Sequence, residues 1–165
     1  MRSRSVLASC VLFTLVLGLA LAGAPGVVSA QATNPRYGQW RLKPADASAP
    51  PSTNVMVYEP HNGTGMKISI NRLEADGTLT FQWGYATMFD GKEEPMTGSR
   101  SQEVASVRML SDRVAEITYK RDNVINQILT NVISTDNQTL GIIYMRMDAE
   151  GKTTRVTYAT YERMP

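Results

Sequence analysis

The sequence predicts an all-β protein, an antiparallel up-and-down meander of about eight to ten short strands closed into a barrel. Three observations predict it. Large apolar residues recur at every second position, most clearly over Thr78-Leu79-Thr80-Phe81-Gln82-Trp83-Gly84-Tyr85. A strand turns successive side chains to opposite faces, so this pattern buries one face of a sheet and wets the other. Similar segments follow at short intervals, separated by polar turns, which makes sequence neighbours antiparallel sheet neighbours. A long meander leaves two edges of unpaired backbone, and closure into a barrel removes both.

The first thirty residues stand apart. Arg2 and Arg4 open them, Val6 to Leu17 form an apolar run, and small residues lead to Val28-Ser29-Ala30. This is the pattern of a cleaved signal peptide, with the cut between Ala30 and Gln31. The most apolar stretch, Val11 to Ala22, is shorter than the roughly 20 residues a spanning helix needs, and Gly23-Ala24-Pro25-Gly26 breaks it. No stable membrane insertion is therefore expected once the signal is removed. Cys10, the only cysteine, sits near the start of the apolar run, the wrong end for a lipidated anchor. Residues 31–165 then form a single domain, periplasmic or secreted, without a disulfide. At that size a chain can bury about two-thirds of its unfolded surface, enough for one core.

Charge excludes one class of partner. The chain carries 17 Lys and Arg against 15 Asp and Glu, and Arg2 and Arg4 account for the surplus. The mature portion is formally neutral, so nothing argues for nucleic acid.

The strands follow in order. Gly38 to Leu42 alternates, with Trp40 and Leu42 inward. Lys43 to Asn54 carries Pro44, Pro50 and Pro51, which makes it an extended connection rather than a helical lid. Asn54 to Glu59 and Met66 to Arg72 pair across His61-Asn62-Gly63-Thr64-Gly65. Ala75-Asp76-Gly77 is a hairpin turn, since Asp and Gly tolerate positive φ. The aromatic strand to Thr87 follows, then Phe89-Asp90-Gly91-Lys92 as a turn and Pro95-Met96-Thr97-Gly98 as a short strand. Glu103 to Leu110 and Arg113 to Arg121 read as strands on their β-branched content, although Val104, Val107, Val114 and Ile117 also fit an amphipathic helix. Val124 to Ser134, Thr139 to Met147 and Thr153 to Arg163 complete the ladder. A barrel of this size is just wide enough to hold one small ligand.

Taken together, the chain resembles a group of small exported bacterial domains described as lipocalin-like, of unassigned function. The resemblance rests on Gly38-Gln39-Trp40-Arg41-Leu42, Val57-Tyr58-Glu59-Pro60, Tyr85 through Lys92 with Pro95 and Gly98, and Val114 to Lys120. Ser134 to Leu140 and the closing Tyr161-Glu162-Arg163 complete it. Gly38-Gln39-Trp40 also matches the Gly-x-Trp of lipocalins proper. In that family the tryptophan packs under an arginine from near the barrel's end, for which Arg155 and Arg163 are the candidates here. A second lipocalin motif, the lipocalin disulfide and the helix that follows their barrel have no counterpart. The resemblance implies a lipocalin-like barrel and a small hydrophobic ligand.

Residues able to do chemistry are few. His61 is the only histidine, in a turn, with no base partner or further metal ligand nearby in sequence. Asp90, Glu93 and Glu94 share a loop, but their spacing matches no calcium motif and suits a solvated turn. Asn62-Gly63-Thr64 and Asn137-Gln138-Thr139 match the glycosylation pattern in places where turn residues are expected anyway. No catalytic residue, metal or cofactor is therefore assigned. The aromatic residues carry the most weight, and Trp40, Phe81, Trp83, Tyr85, Tyr144 and Tyr158 are the candidate ligand-binding set. They could line an internal pocket or simply fill the barrel, as could Tyr58 and Tyr119. Met56, Met66 and other strand methionines suit a plastic pocket and gap-filling equally. An inward Arg108, Arg146 or Arg155 could meet a ligand carboxylate. The reading is a secreted or periplasmic non-catalytic protein binding a small, mostly apolar ligand inside the barrel. The alternative is an envelope interaction module with a filled barrel and a protein partner, whose identity is open.

Overall fold

The two-residue alternation is realised as eleven antiparallel strands, with no helix among the described residues, 34–165 of this computed structural model. The leader and its expected cut after Ala30 lie outside those residues. In chain order the strands are β1 (Gly38–Leu42), β2 (Asn54–His61), β3 (Gly65–Leu73), β4 (Leu79–Thr87), β5 (Asp90–Pro95), β6 (Thr97–Gly98), β7 (Glu103–Ser111), β8 (Val114–Arg121), β9 (Val124–Ile133), β10 (Thr139–Met147) and β11 (Thr153–Arg163). The bounds of β1, β10 and β11 coincide with those expected from sequence. Residues 43–53 form neither helix nor strand, as their prolines require.

Strand order around the sheet is β5-β7-β8-β9-β10-β11-β1-β2-β3-β4-β6. Its two ends, β5 and β6, are separated in the chain by Met96 alone. One continuous segment therefore pairs first with β7 and then with β4, which brings the sheet round into a nearly closed barrel. Met96 is buried at this seam, and its N–H donates to the Glu103 carbonyl at 3.0 Å.

Two expectations need correction here. Phe89-Asp90-Gly91-Lys92 is not only a turn, because β5 starts at Asp90. Positive φ at Phe89 and Gly91 and a register slip between Asp90 and Glu93 make it a bulged strand that sequence pattern does not distinguish from a turn. The split of this segment between two neighbours also raises the strand count above eight to ten. The stretch from Glu103 to Arg121 is a hairpin, with Val107 opposite Ile117.

Inward faces meet in one core that includes Trp40, Met56, Ile68, Ile117, Leu129 and Ile142. Each such side chain contributes about 1.5–3 kcal/mol by leaving water. One end of the barrel is sealed by two arginines. Arg163 lies over the Trp40 ring, 4.1 Å from its centroid, so it and not Arg155 fills the role the lipocalin resemblance implied. Its guanidinium donates to the carbonyls of Pro35, Tyr37 and Asn137, tying the segment before β1 and the end of β11 to the β9–β10 turn. Trp40 donates its indole N–H to the Arg36 carbonyl at 2.8 Å. Arg36, itself buried, reaches across to the Asp112 carbonyl in the β7–β8 turn at 3.0 Å, and burial lowers its pKa.

Trp40→Ala should cost about 3–5 kcal/mol in urea unfolding. Arg163→Lys keeps the charge but loses the planar fork that serves three carbonyls, and should still cost about 1–3 kcal/mol. An unfolding midpoint unchanged in the lysine variant would show that charge alone suffices at this end.

Candidate functional site

A cavity of about 170 Å³ lies within the barrel, lined by apolar side chains (Met56, Ile68, Ile70, Leu129, Ile142) and aromatic ones. A cavity of about 150 Å³ is enough to admit benzene, so this one has room for a single ring. Its other wall is tyrosine. Tyr58, Tyr85, Tyr119, Tyr144 and Tyr161 all contribute, coming from β2, β4, β8, β10 and β11. Tyr85 and Tyr119 hydroxyls lie 3.5 Å apart, as do those of Tyr144 and Tyr161, and the Asn131 side-chain amide donates to the Tyr58 hydroxyl at 3.3 Å. Burial pushes all five phenols upward, Tyr119 to about 12 and the others in the same direction. The lumen is thus lined by neutral hydroxyls at ordinary pH.

Of the six residues proposed from sequence, Trp83, Tyr85 and Tyr144 line this cavity. Trp40 faces inward but belongs to the sealed end, under Arg163. Phe81 and Tyr158 are outside, a correction with a definite cause in each case. Ile70 pairs with Trp83 but Asn71 pairs with Phe81, so Gln82 is an extra residue that reverses the alternation. Phe81 consequently stands on the outer surface, half exposed, with its ring against Gly84 and Gly98. On β11 the inward residues are Thr157, Ala159 and Tyr161, opposite Tyr144, Ile142 and Leu140. Tyr158 pairs with the outward Ile143 and is 85% exposed. A regular strand put it there, and its aromatic character alone had suggested otherwise.

The residues that sequence reasoning missed sit at the other end of the cavity. Arg100, in the turn between β6 and β7, lies over the rings of Trp83 and Tyr119, 4.9 and 4.5 Å from their centroids. It pairs with Glu103, whose carboxylate is also held by Arg121 at 2.7 Å. Glu103 shares the inward face of β7 with Ala105 and Val107, all buried. A carboxylate at an inward position of a strand needs a buried cation, and that was the signal available for Arg100. Burial alone would raise the Glu103 pKa, but Arg100, Arg121 and Asn126 bring it below the ordinary 4.5.

Other candidates are accounted for on the surface. His61 ends β2 beside the Asn62 side chain, 3.0 Å away. Asp90 pairs with Lys92 at 2.8 Å and Glu93 with Lys120 of β8, so two of the three carboxylates are held in surface ion pairs. Among the described residues no three His, Cys, Asp or Glu side chains come together to hold a metal ion. Arg108 is outside, paired with Glu116 at 2.8 Å.

No protein-family model matches the sequence, and no curated protein matches it either. Solved structures do match in shape. The chain is similar to the wild-type fluorescent protein UnaG at 16% identity and a TM-score of 0.51, over 78% of this chain and 96% of that one. A point mutant of UnaG gives 13% identity and a TM-score of 0.52, over 79% and 97%. At these identities the likeness is one of fold, a lipocalin-like barrel.

Glu103 generates a pH-dependent expectation. A carboxyl whose pKa is lowered in the fold stabilises it above the unfolded pKa, and that contribution is lost as pH falls through the folded value. Glu103→Gln should therefore lower stability at neutral pH by about 2 kcal/mol and flatten the acid limb below the ordinary 4.5. Urea midpoints measured from neutral pH downward check it, and an acid limb identical to the parent protein's would contradict it.

Proposed function

We propose that this protein is an exported, non-catalytic binder of a small, mostly apolar molecule held inside its barrel. The cavity carries the reading. Its walls are mostly aliphatic and aromatic, with Asn54, Arg100, Gln127 and Asn131 among them, its hydroxyls are neutral, and its volume of about 170 Å³ admits one ring. Export to the periplasm or the medium is supported by the leader, with its apolar run and Val28-Ser29-Ala30 end. The absence of catalysis is supported by the chemistry at hand, since the one histidine sits at the end of β2, away from the cavity lining.

A second reading has its own observation. Val132, Ile143, Val156 and Tyr158 stand exposed on the outer face of β9, β10 and β11, where Ile143 and Tyr158 are direct cross-strand partners. An apolar strip of this kind favours a protein partner on the barrel's outer wall.

Native mass spectrometry of the purified protein separates the two. A retained small molecule is expected on the parent protein. Leu129→Trp, which fills the cavity at a cost of about 1–3 kcal/mol, should abolish retention, while Tyr158→Lys on the outer strip should not. Retention that survives Leu129→Trp would count against an internal site.

A further inference from the structure

The cavity lining continues through Arg100 and Gln127 into a groove at the end of the barrel that carries the β8–β9 and β10–β11 turns. Arg100, Arg121 and Arg146 line that groove, with Glu103 as its one carboxylate, so it holds a surplus of two positive charges. Glu103 is fully engaged by Arg100 and Arg121. Arg146 has no carboxylate within 4.0 Å among the described residues, and its direct cross-strand partner is another cation, Arg155. Register puts both on the face of Tyr144 and Thr157, exposed at the rim beyond the lumen. Asp122 and Asp148 line the neighbouring dimple and neither pairs with these guanidiniums. Like charges placed directly opposite one another destabilise a sheet, and an anion between them removes that penalty.

Arg100 is fixed rather than free. Its guanidinium is stacked on Trp83 and Tyr119, two rings of the cavity wall, and anchored from behind by a buried carboxylate. It therefore borders both the apolar chamber and the cationic groove. A molecule that extends from the chamber into this groove passes this arginine.

We infer that the ligand is an organic anion, with a ring-sized apolar end in the cavity and a carboxylate or sulfonate in the groove shared by Arg100 and Arg146. The inference rests on the cavity being a binding site and adds the charge and position of the headgroup. The chamber's 170 Å³ limits the apolar end to one ring, and a longer body would have to extend past Arg100 into the groove.

Phenylbutyrate and its neutral counterpart phenylbutanol, titrated at low salt with Trp83 in the cavity wall as a fluorescent reporter, test this. Phenylbutyrate is expected to bind about tenfold tighter than the alcohol, a difference that high salt shrinks. Arg146→Gln should bring the two ligands to within about threefold by weakening the acid alone, and Arg108→Gln on the outer face should leave both unchanged. Equal affinity of acid and alcohol, or an advantage that persists in both Arg146→Gln and Arg100→Gln, overturns the anion inference and leaves the cavity reading intact. Decanoate binding about tenfold tighter than phenylbutyrate overturns the ring-sized end. Failure of both phenyl compounds to bind overturns the cavity reading itself.

Discussion

Everything inside this molecule depends on one seam. A single antiparallel sheet can bury only what its own inner face encloses, and that face is enclosed only if β4 and β7 are joined. The residues from Asp90 to Gly98 do this by pairing with β7 over their first part and with β4 over the last. Close approach at the seam is made possible by Gly98, whose φ is +75° and where a Cβ would lie 2.3 Å from the Gln82 carbonyl oxygen. Phe81 then packs over Gly84 and Gly98 from outside, covering backbone that glycine leaves bare. The bulge that expels Phe81 from the lumen thus also supplies the seam's outer cover.

The two ends of the barrel use arginine in opposite ways. At the sealed end Arg163 directs its donors, and Arg36 its Nη1, to backbone carbonyls, and an aromatic ring lies beneath Arg163. Those carbonyls belong to turns and to the segment leading into β1, so each bond holds the closure in place. At the other end Arg100 also lies on aromatic rings, but its partner is a buried carboxylate that it shares with Arg121, and Arg146 joins the groove without an ion-pair partner among the described residues. Between the ends the polar groups are mostly phenols kept neutral by burial, with Asn131 among them. Charge is confined to the rims because a lone ion in the middle would be far more costly than a hydroxyl. This gradient, neutral inside and cationic at one mouth, gives the cavity a direction.

Much of the fold was legible in the sequence. Strand bounds at β1, β10 and β11 and the proline-ordered connection followed from local pattern, while the arginine over Trp40 came from the lipocalin resemblance, which left Arg155 and Arg163 open until the structure chose Arg163. The site was less legible. Trp83, Tyr85 and Tyr144 line the cavity because their strands alternate regularly there, whereas one extra residue at Gln82 moved Phe81 to the other face. Tyr158 shows the reverse limit, since β11 pairs regularly from Arg155 to Glu162 and still leaves open which of its two faces is inside. Arg100 lies in a turn, where periodicity says nothing about direction.

The sequence by itself determined the type of secondary structure, the order of the strands, the positions of most turns and the poverty of catalytic groups. These are properties of residues adjacent in the chain, expressed through side-chain alternation and the φ preferences of Gly, Asp, Asn and Pro. Only the tertiary structure decided where the barrel closes, which face of each strand is enclosed and which side chains share the lumen. Those outcomes depend on register and on contacts between distant residues, such as Tyr58 with Asn131, 73 positions apart, and Arg163 with Pro35, 128 apart. A one-residue slip reverses every side chain that follows, and nothing in the local pattern marks where the slip occurs.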